Sequence, residues 1–192
     1  MKKLLLGLTM LVVVVTGTIV FSARSYSAPS LNPADYIQAK YIPTPDMALS
    51  FALNKDPRKW VSQFLDGNAS GIIQEFVPQG ESIDAWKEMV AQQIAFTKVS
   101  LREHVDGWKA RLLRADPKIE IKEETNRDGS ILVTYTSILA DETSMRRFIK
   151  GSDGVYMLAY HVRPKLKKAG TFKIWLGIIS SASLVPNPEK KK

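Results

Sequence analysis

A single α+β domain, with an antiparallel sheet of about six strands packed between helices, is the fold this sequence predicts. Three observations carry that expectation. Two stretches in the second half are rich in strand formers around the tight-turn pairs Asp128-Gly129 and Asp153-Gly154, which is hairpin chemistry. Two middle segments place apolar residues at helical spacing behind the capping serines Ser82 and Ser100, as amphipathic helices do. The chain contains no cysteine, so no disulfide forms and stability has to come from a packed core.

The N-terminus comes first. Lys2 and Lys3 precede the apolar run "LLLGLTMLVVVVTGTIVF", Leu4 to Phe21, and small polar residues follow in "SARSYSAPS". This three-part order is that of an export signal, residues 1–27, cut between Ser22 and Ala28. A run of about 18 apolar residues also suits an uncleaved inner-membrane anchor, and that alternative stays open. The expected location is the periplasm or the medium. Residues 28–45 are polar and proline-rich, as in an extended leader; residues 46–186 form the domain; residues 187–192 are expected to be a disordered basic tail,. The formal charge is +8, of which Lys2, Lys3 and Arg24 supply three and the tail "EKKK" a net two, leaving +3 for the body. That balance is no footprint of a nucleic-acid binder, which clusters its basic residues on one face.

Along the domain, "MALSFALN" suits a short strand or one helical turn. From Lys59 to Val77, two β-rich runs flank the turn chemistry of "DGNAS", which predicts a hairpin, although "WVSQFL" alternates imperfectly,. In "EFVPQGESIDAWKEMV", Pro78 and Gly80 end the strand and Ser82 opens a helix with Asp84 in its first turn. Ile83, Trp86, Val90, Ile94 and Thr97 would be the buried stripe of that helix, and Glu88, opposite to it, would face solvent,. A second helix starts at the capping-box pair Ser100 and Glu103, carries Leu101, Val105, Trp108 and Leu112, and ends before Pro117,. Four sequential antiparallel strands follow in two hairpins. A terminal helix marked by Phe172, Trp175, Leu176 and Ile179 stops before Pro186.

The chemistry is sparse. The chain has two histidines, His104 and His161, with no H-E-x-x-H spacing, and it lacks both G-x-S-x-G and the phosphate-binding glycine loops,. Glu81, Asp84 and Glu88 gather at a predicted helix start, where the dipole alone accounts for them. Glu120, Glu123 and Glu124 lie beside a turn without calcium-loop spacing,. Arg146 and Arg147 fall on opposite sides of one strand and, with Lys150, read as a solvated face. Trp60, Trp86, Trp108 and Trp175 sit at core periodicity,. No catalytic, cofactor-binding or metal-ligating residue is assigned, and no cofactor is expected.

The stretch "VPQGESIDAWKEMVAQQ", with Pro78, Gly80, Glu81, Trp86, Glu88, Met89 and Gln93, resembles small bacterial exported proteins of the PsbP-like fold. "WKARLLRADP", "RRFIKGSDGVYMLAYHVR" and "WLGIISSASLV" extend the resemblance from Trp60 to Val185. It implies an antiparallel sheet between helices and a non-enzymatic accessory or partner-binding role. Cysteines that members carry at the position of "RADP" and near the end are missing here, so it implies no disulfide. The resulting expectation is an exported, non-catalytic protein that binds a protein or small ligand. Its partner would be an envelope or extracellular protein and not nucleic acid, and it would touch a membrane only through an uncleaved N-terminal segment. Oligomeric state is left open. The alternative is an exported hydrolase with a site assembled from scattered carboxylates or histidines.

Overall fold

The computed structural model describes residues 44–191; the signal or anchor and nearly all of the leader lie outside them. The elements run β1 (Met47–Ser50), β2 (Trp60–Asn68), β3 (Gly71–Pro78), β4 (Glu88–Ala95), α1 (Leu101–Ala115), β5 (Glu120–Thr125), β6 (Ile131–Ser137), β7 (Glu142–Lys150), β8 (Val155–Val162), α2 (Ala169–Ser180) and β9 (Ser183–Pro186). Seven strands make one antiparallel sheet in the order β2-β3-β4-β8-β7-β6-β5, and β1 pairs with β9 in a separate ribbon. Two meanders, β2–β3–β4 and β5–β6–β7–β8, are thus joined side by side at the β4–β8 pair, with α1 carrying the chain between them. This is the α+β class, with seven strands in the main sheet rather than about six.

The extra strand is β4, and it replaces the first predicted helix. Ser82 does cap, its Oγ accepting from the Asp84 amide at 3.2 Å, but the turn stops after one 3-10 stretch, Ile83–Ala85, and Trp86 is already extended. Strand β4 lies between β3 and β8, and Met89, Val90 and Ala91 are all buried. A strand covered on both faces has no polar/apolar alternation to display, so its apolar residues fit a helical template by coincidence. Ladder bonds to two neighbours outweigh a local cap.

Helix α1 begins as expected, with Ser100 Oγ accepting from the Glu103 amide at 3.1 Å. It covers one face of the sheet, where Val105 packs with Ala91, Val133, Phe148, Met157 and Ala159. The other face carries α2, whose Trp175, Ile178 and Ile179 pack on Val90, Met145, Leu158 and Tyr160. Strand β8 serves both cores and is buried along its whole length.

The hairpins fall where the turn pairs put them, with Gly129 at φ +80°. The imperfect alternation of "WVSQFL" is a bulge between Ser62 and Phe64. Its Gln63 side chain bridges the next turn, donating to Glu81 O at 2.8 Å and accepting from the Ile83 amide at 2.9 Å. Where a disordered tail is expected, the Asn187 amide donates to Asp46 O at 3.0 Å and Pro188–Lys191 make a 3-10 turn.

Candidate functional site

A cleft of about 270 Å³ opens between the β3–β4 connection and the segment joining β8 to α2. Lys87, Lys165, Lys167 and Lys168 line it, with Leu166 between them and Glu81 and Glu88 completing the wall. The fold sets these residues with short backbone bonds. The Arg163 amide donates to Lys87 O at 3.0 Å, which ties the two walls together, and a 3-10 turn opened by Pro164 presents Lys165 to Lys168.

Both acids of the cleft are engaged. Glu81 accepts from the Lys87 amide at 2.9 Å. Glu88, expected in solvent, is instead part of a half-buried network: Arg58 donates to its two oxygens at 2.7 and 2.9 Å, and the Tyr160 hydroxyl donates to it as well. Arg58 also grips Asp56, through Nε at 3.0 Å and Nη2 at 2.7 Å, and Trp175 Nε1 donates to Asp56 at 2.8 Å. Burial pushes the Asp56 carboxyl up, but the Arg58 and Trp175 hydrogen bonds outweigh it and hold the group below the usual range. Asp56 and, next to it, Glu88 raise the Arg58 pKa against the opposing effect of burial. Tyr160 stacks on Trp175 with centroids 4.9 Å apart, and Trp60 meets Trp175 edge-on. The cleft therefore has a hydrogen-bonded base in which one guanidinium, Arg58, is shared by two carboxylates.

The lysines differ. Among the described residues, Lys87, Lys165 and Lys168 form no ion pair, and Lys167 rests over the Phe172 ring at 4.1 Å. The four lysines outnumber the two acids that line the same concavity, and a bound anion relieves the repulsion among them.

A second polar cluster lies under the α1 face. His161 Nδ1 is 2.9 Å from Glu142, which also accepts from the Tyr135 hydroxyl at 2.6 Å. Arg146 donates to Tyr135 at 2.6 Å and to Ser144 at 3.2 Å, with its guanidinium over the Trp108 ring at 5.1 Å. Burial would raise the Glu142 carboxyl; His161, Arg146 and Tyr135 reverse that and hold it well below the usual range. Burial lowers His161 and outweighs the opposing pull of the nearby Glu142 carboxylate. Glu75 shares this face and is pushed up, first by burial and then by the charge of Glu142, against the pull of Arg146.

The cluster unites residues that the sequence scatters. His104, on α1, is not part of its hydrogen bonding and packs against Phe148 of β7. Arg146 and Arg147 do point to opposite faces, but both are buried rather than solvated: Arg147 reaches the end of α2, donating to Ile179 O and Ser180 O. Burial follows from partners that the local sequence does not show. Ser144 and His161, opposite each other on β7 and β8, are 0% and 3% exposed. Glu123 binds Arg102 and Lys109 of α1. Among the described residues, no group of three His, Cys, Asp or Glu side chains is arranged to hold a metal ion, and no helix is long and apolar enough to cross a membrane.

Of the tryptophans, Trp175 is fully buried while Trp60, Trp86 and Trp108 are half-buried at core margins. The lysine cleft was not legible beforehand, since its residues come from separate segments. The run "RPKLKK" was its one visible signal. No protein-family model matches this chain, and no match is found among the curated proteins.

Proposed function

We propose that this chain is a non-catalytic exported binding protein whose cleft between β4 and α2 recognises an anionic group on its ligand or partner. The observation that carries the reading is the convergence of Lys87, Lys165, Lys167 and Lys168 on a cleft whose two acids accept hydrogen bonds from other donors, Glu88 from Arg58 and Glu81 from the Lys87 amide. The N-terminal export pattern supports placing the protein in the periplasm or outside the cell. The resemblance to exported proteins of the PsbP-like fold supports an accessory role without a reaction of its own.

The test is a titration with glycerol phosphate followed by amide chemical shifts. The expected result is saturable movement of the amides of Lys87 and Lys165 to Lys168. Lys165→Glu with Lys168→Glu should weaken binding about fivefold to tenfold, the size for two solvent-screened contacts turned repulsive. Unmoved cleft amides, or a double variant that binds as well as the parent, would overturn the reading.

A further inference from the structure

The most exposed large apolar side chains among the described residues are Ile138 and Leu139, at 86% and 73%. They form the tip of the turn between β6 and β7. Turn tips are ordinarily polar, since Gly, Asn, Asp and Ser supply their geometry. This one is not a loose loop. The Ala140 amide donates to Ser137 Oγ at 3.0 Å, Ser137 donates to buried Asp116 at 2.7 Å, and the Asp141 amide closes the turn on Ile138 O at 3.2 Å. The structure thus holds two apolar side chains out into water on a braced support.

The same support connects to the cleft. Arg163 Nη1 donates to Ala140 O at 3.1 Å and to Asp141 O at 3.3 Å, and its guanidinium lies over the Trp86 ring at 4.1 Å. Arg163 directly precedes the turn that presents Lys165, Lys167 and Lys168. Strand β6 ends, β7 starts, β8 ends and β4 starts at this one end of the sheet. That end carries Lys87, Arg163, Lys165, Lys167 and Lys168, with the acids Glu81, Asp84 and Asp141 beside them and Glu88 and Glu142 held by Arg58 and by His161 and Tyr135.

We propose that the β6–β7 turn and the lysine cleft are one docking surface for an anionic phospholipid bilayer. Ile138 and Leu139 enter the boundary between headgroups and acyl chains, while the lysines hold headgroup phosphates. This rests on the anion-binding reading of the cleft and names its source. Interfacial binding sums the apolar area inserted and the attraction of basic side chains to anionic lipid. A two-residue convex tip suits a fluid surface, which needs no matching pocket. A protein partner would need one.

The absence of cysteine makes a test direct, because Leu139→Cys creates a single labelling site. The full chain, carrying an environment-sensitive fluorophore there, is reconstituted with phosphatidylcholine vesicles with or without phosphatidylglycerol. A second chain labelled at Arg127→Cys, in the β5–β6 turn, shares any contribution of the N-terminal segment. The expected result is a blue shift and quenching by acyl-chain quenchers at the Leu139 position only, and only with phosphatidylglycerol. Each of Lys165→Ala and Lys168→Ala should lower the apparent lipid affinity roughly fivefold, and Ile138→Asp should abolish the shift.

A Leu139 label that stays in water on phosphatidylglycerol vesicles overturns the proposal, as does a shift equal on both vesicle types. If glycerol phosphate still moves the cleft amides in that case, the bilayer falls and the anion-binding reading stands; if it does not, both fall. Polyglutamate that shifts the label where phosphatidylglycerol does not would assign the surface to an acidic protein, which also overturns it.

Discussion

At His161, burial and a carboxylate compete for the imidazole, and burial prevails. Because its folded pKa lies below the unfolded value of about 6.5, the unfolded chain takes up the proton first. Folding therefore loses stability as pH falls through that value. Half-buried His104 is lowered too, mainly by burial and then by Arg111 and Lys150, and it acts in the same direction. Glu142, depressed by its partners, resists protonation until strongly acidic pH. Glu75, raised by burial, works the other way and favours folding as it becomes neutral. The urea midpoint is expected to fall between about pH 7 and pH 5.5, with a smaller fall in His161→Gln, on the standard proton linkage. A midpoint that drops equally in parent and variant would remove His161 from the account.

Among the elements, β4 shows how strongly a ladder overrides local capping. Its end packs so closely that a Cβ on Gly154 would lie 2.2 Å from Ala95 O. That neighbour is backbone and moves only if the end of β4 is pushed away from the β7–β8 turn. Gly154→Ala is expected to cost about 1–3 kcal/mol. Gly177, inside α2, leaves open space within 4 Å of where a Cβ would lie, and Gly177→Ala should stabilise by about 1 kcal/mol. Urea unfolding of the two variants side by side decides the matter: a Gly154→Ala protein as stable as its parent would contradict the close approach. The sequence shows the cap at Ser100 and the turn at Asp128-Gly129, whereas the cap at Ser82 forms without the α-helix it predicts. It does not show a strand whose two faces are both covered, because β4 has no alternation to read.

For the molecule as a whole, the β1–β9 ribbon gathers both ends of the described chain onto the β7–β8 turn. The Asp46 amide donates to Asp153 at 2.6 Å, and the Tyr156 hydroxyl accepts from the Met47 amide at 3.2 Å while donating to Asp153 at 2.7 Å. Leu49 of this ribbon packs against the α2-side core. Asp153→Ala is expected to free β1 while leaving the sheet folded, at about 1–2 kcal/mol of total stability. Hydrogen exchange reads it directly, with faster exchange at Met47 to Ser50 and unchanged protection in β8. Equal loss in β8 would mean that the ribbon and the sheet unfold as one unit.

The α+β class, both hairpins of the second half, the start of α1 and the position of α2 were determined by the sequence itself. Their signals are local: a turn pair, a capping serine, a stripe of apolar residues. The same locality made the run "RPKLKK" visible as charge but not as a site. Only the tertiary structure turned the segment around Met89 into a central strand and buried Arg146 and Arg147, whose opposite faces the strand period already shows,. It also brought Lys87 to face Lys165, Lys167 and Lys168 beside an apolar turn. Each of these outcomes depends on a neighbouring strand or on an element 30 or more positions away, and pairing across such distances leaves no period in the chain to read.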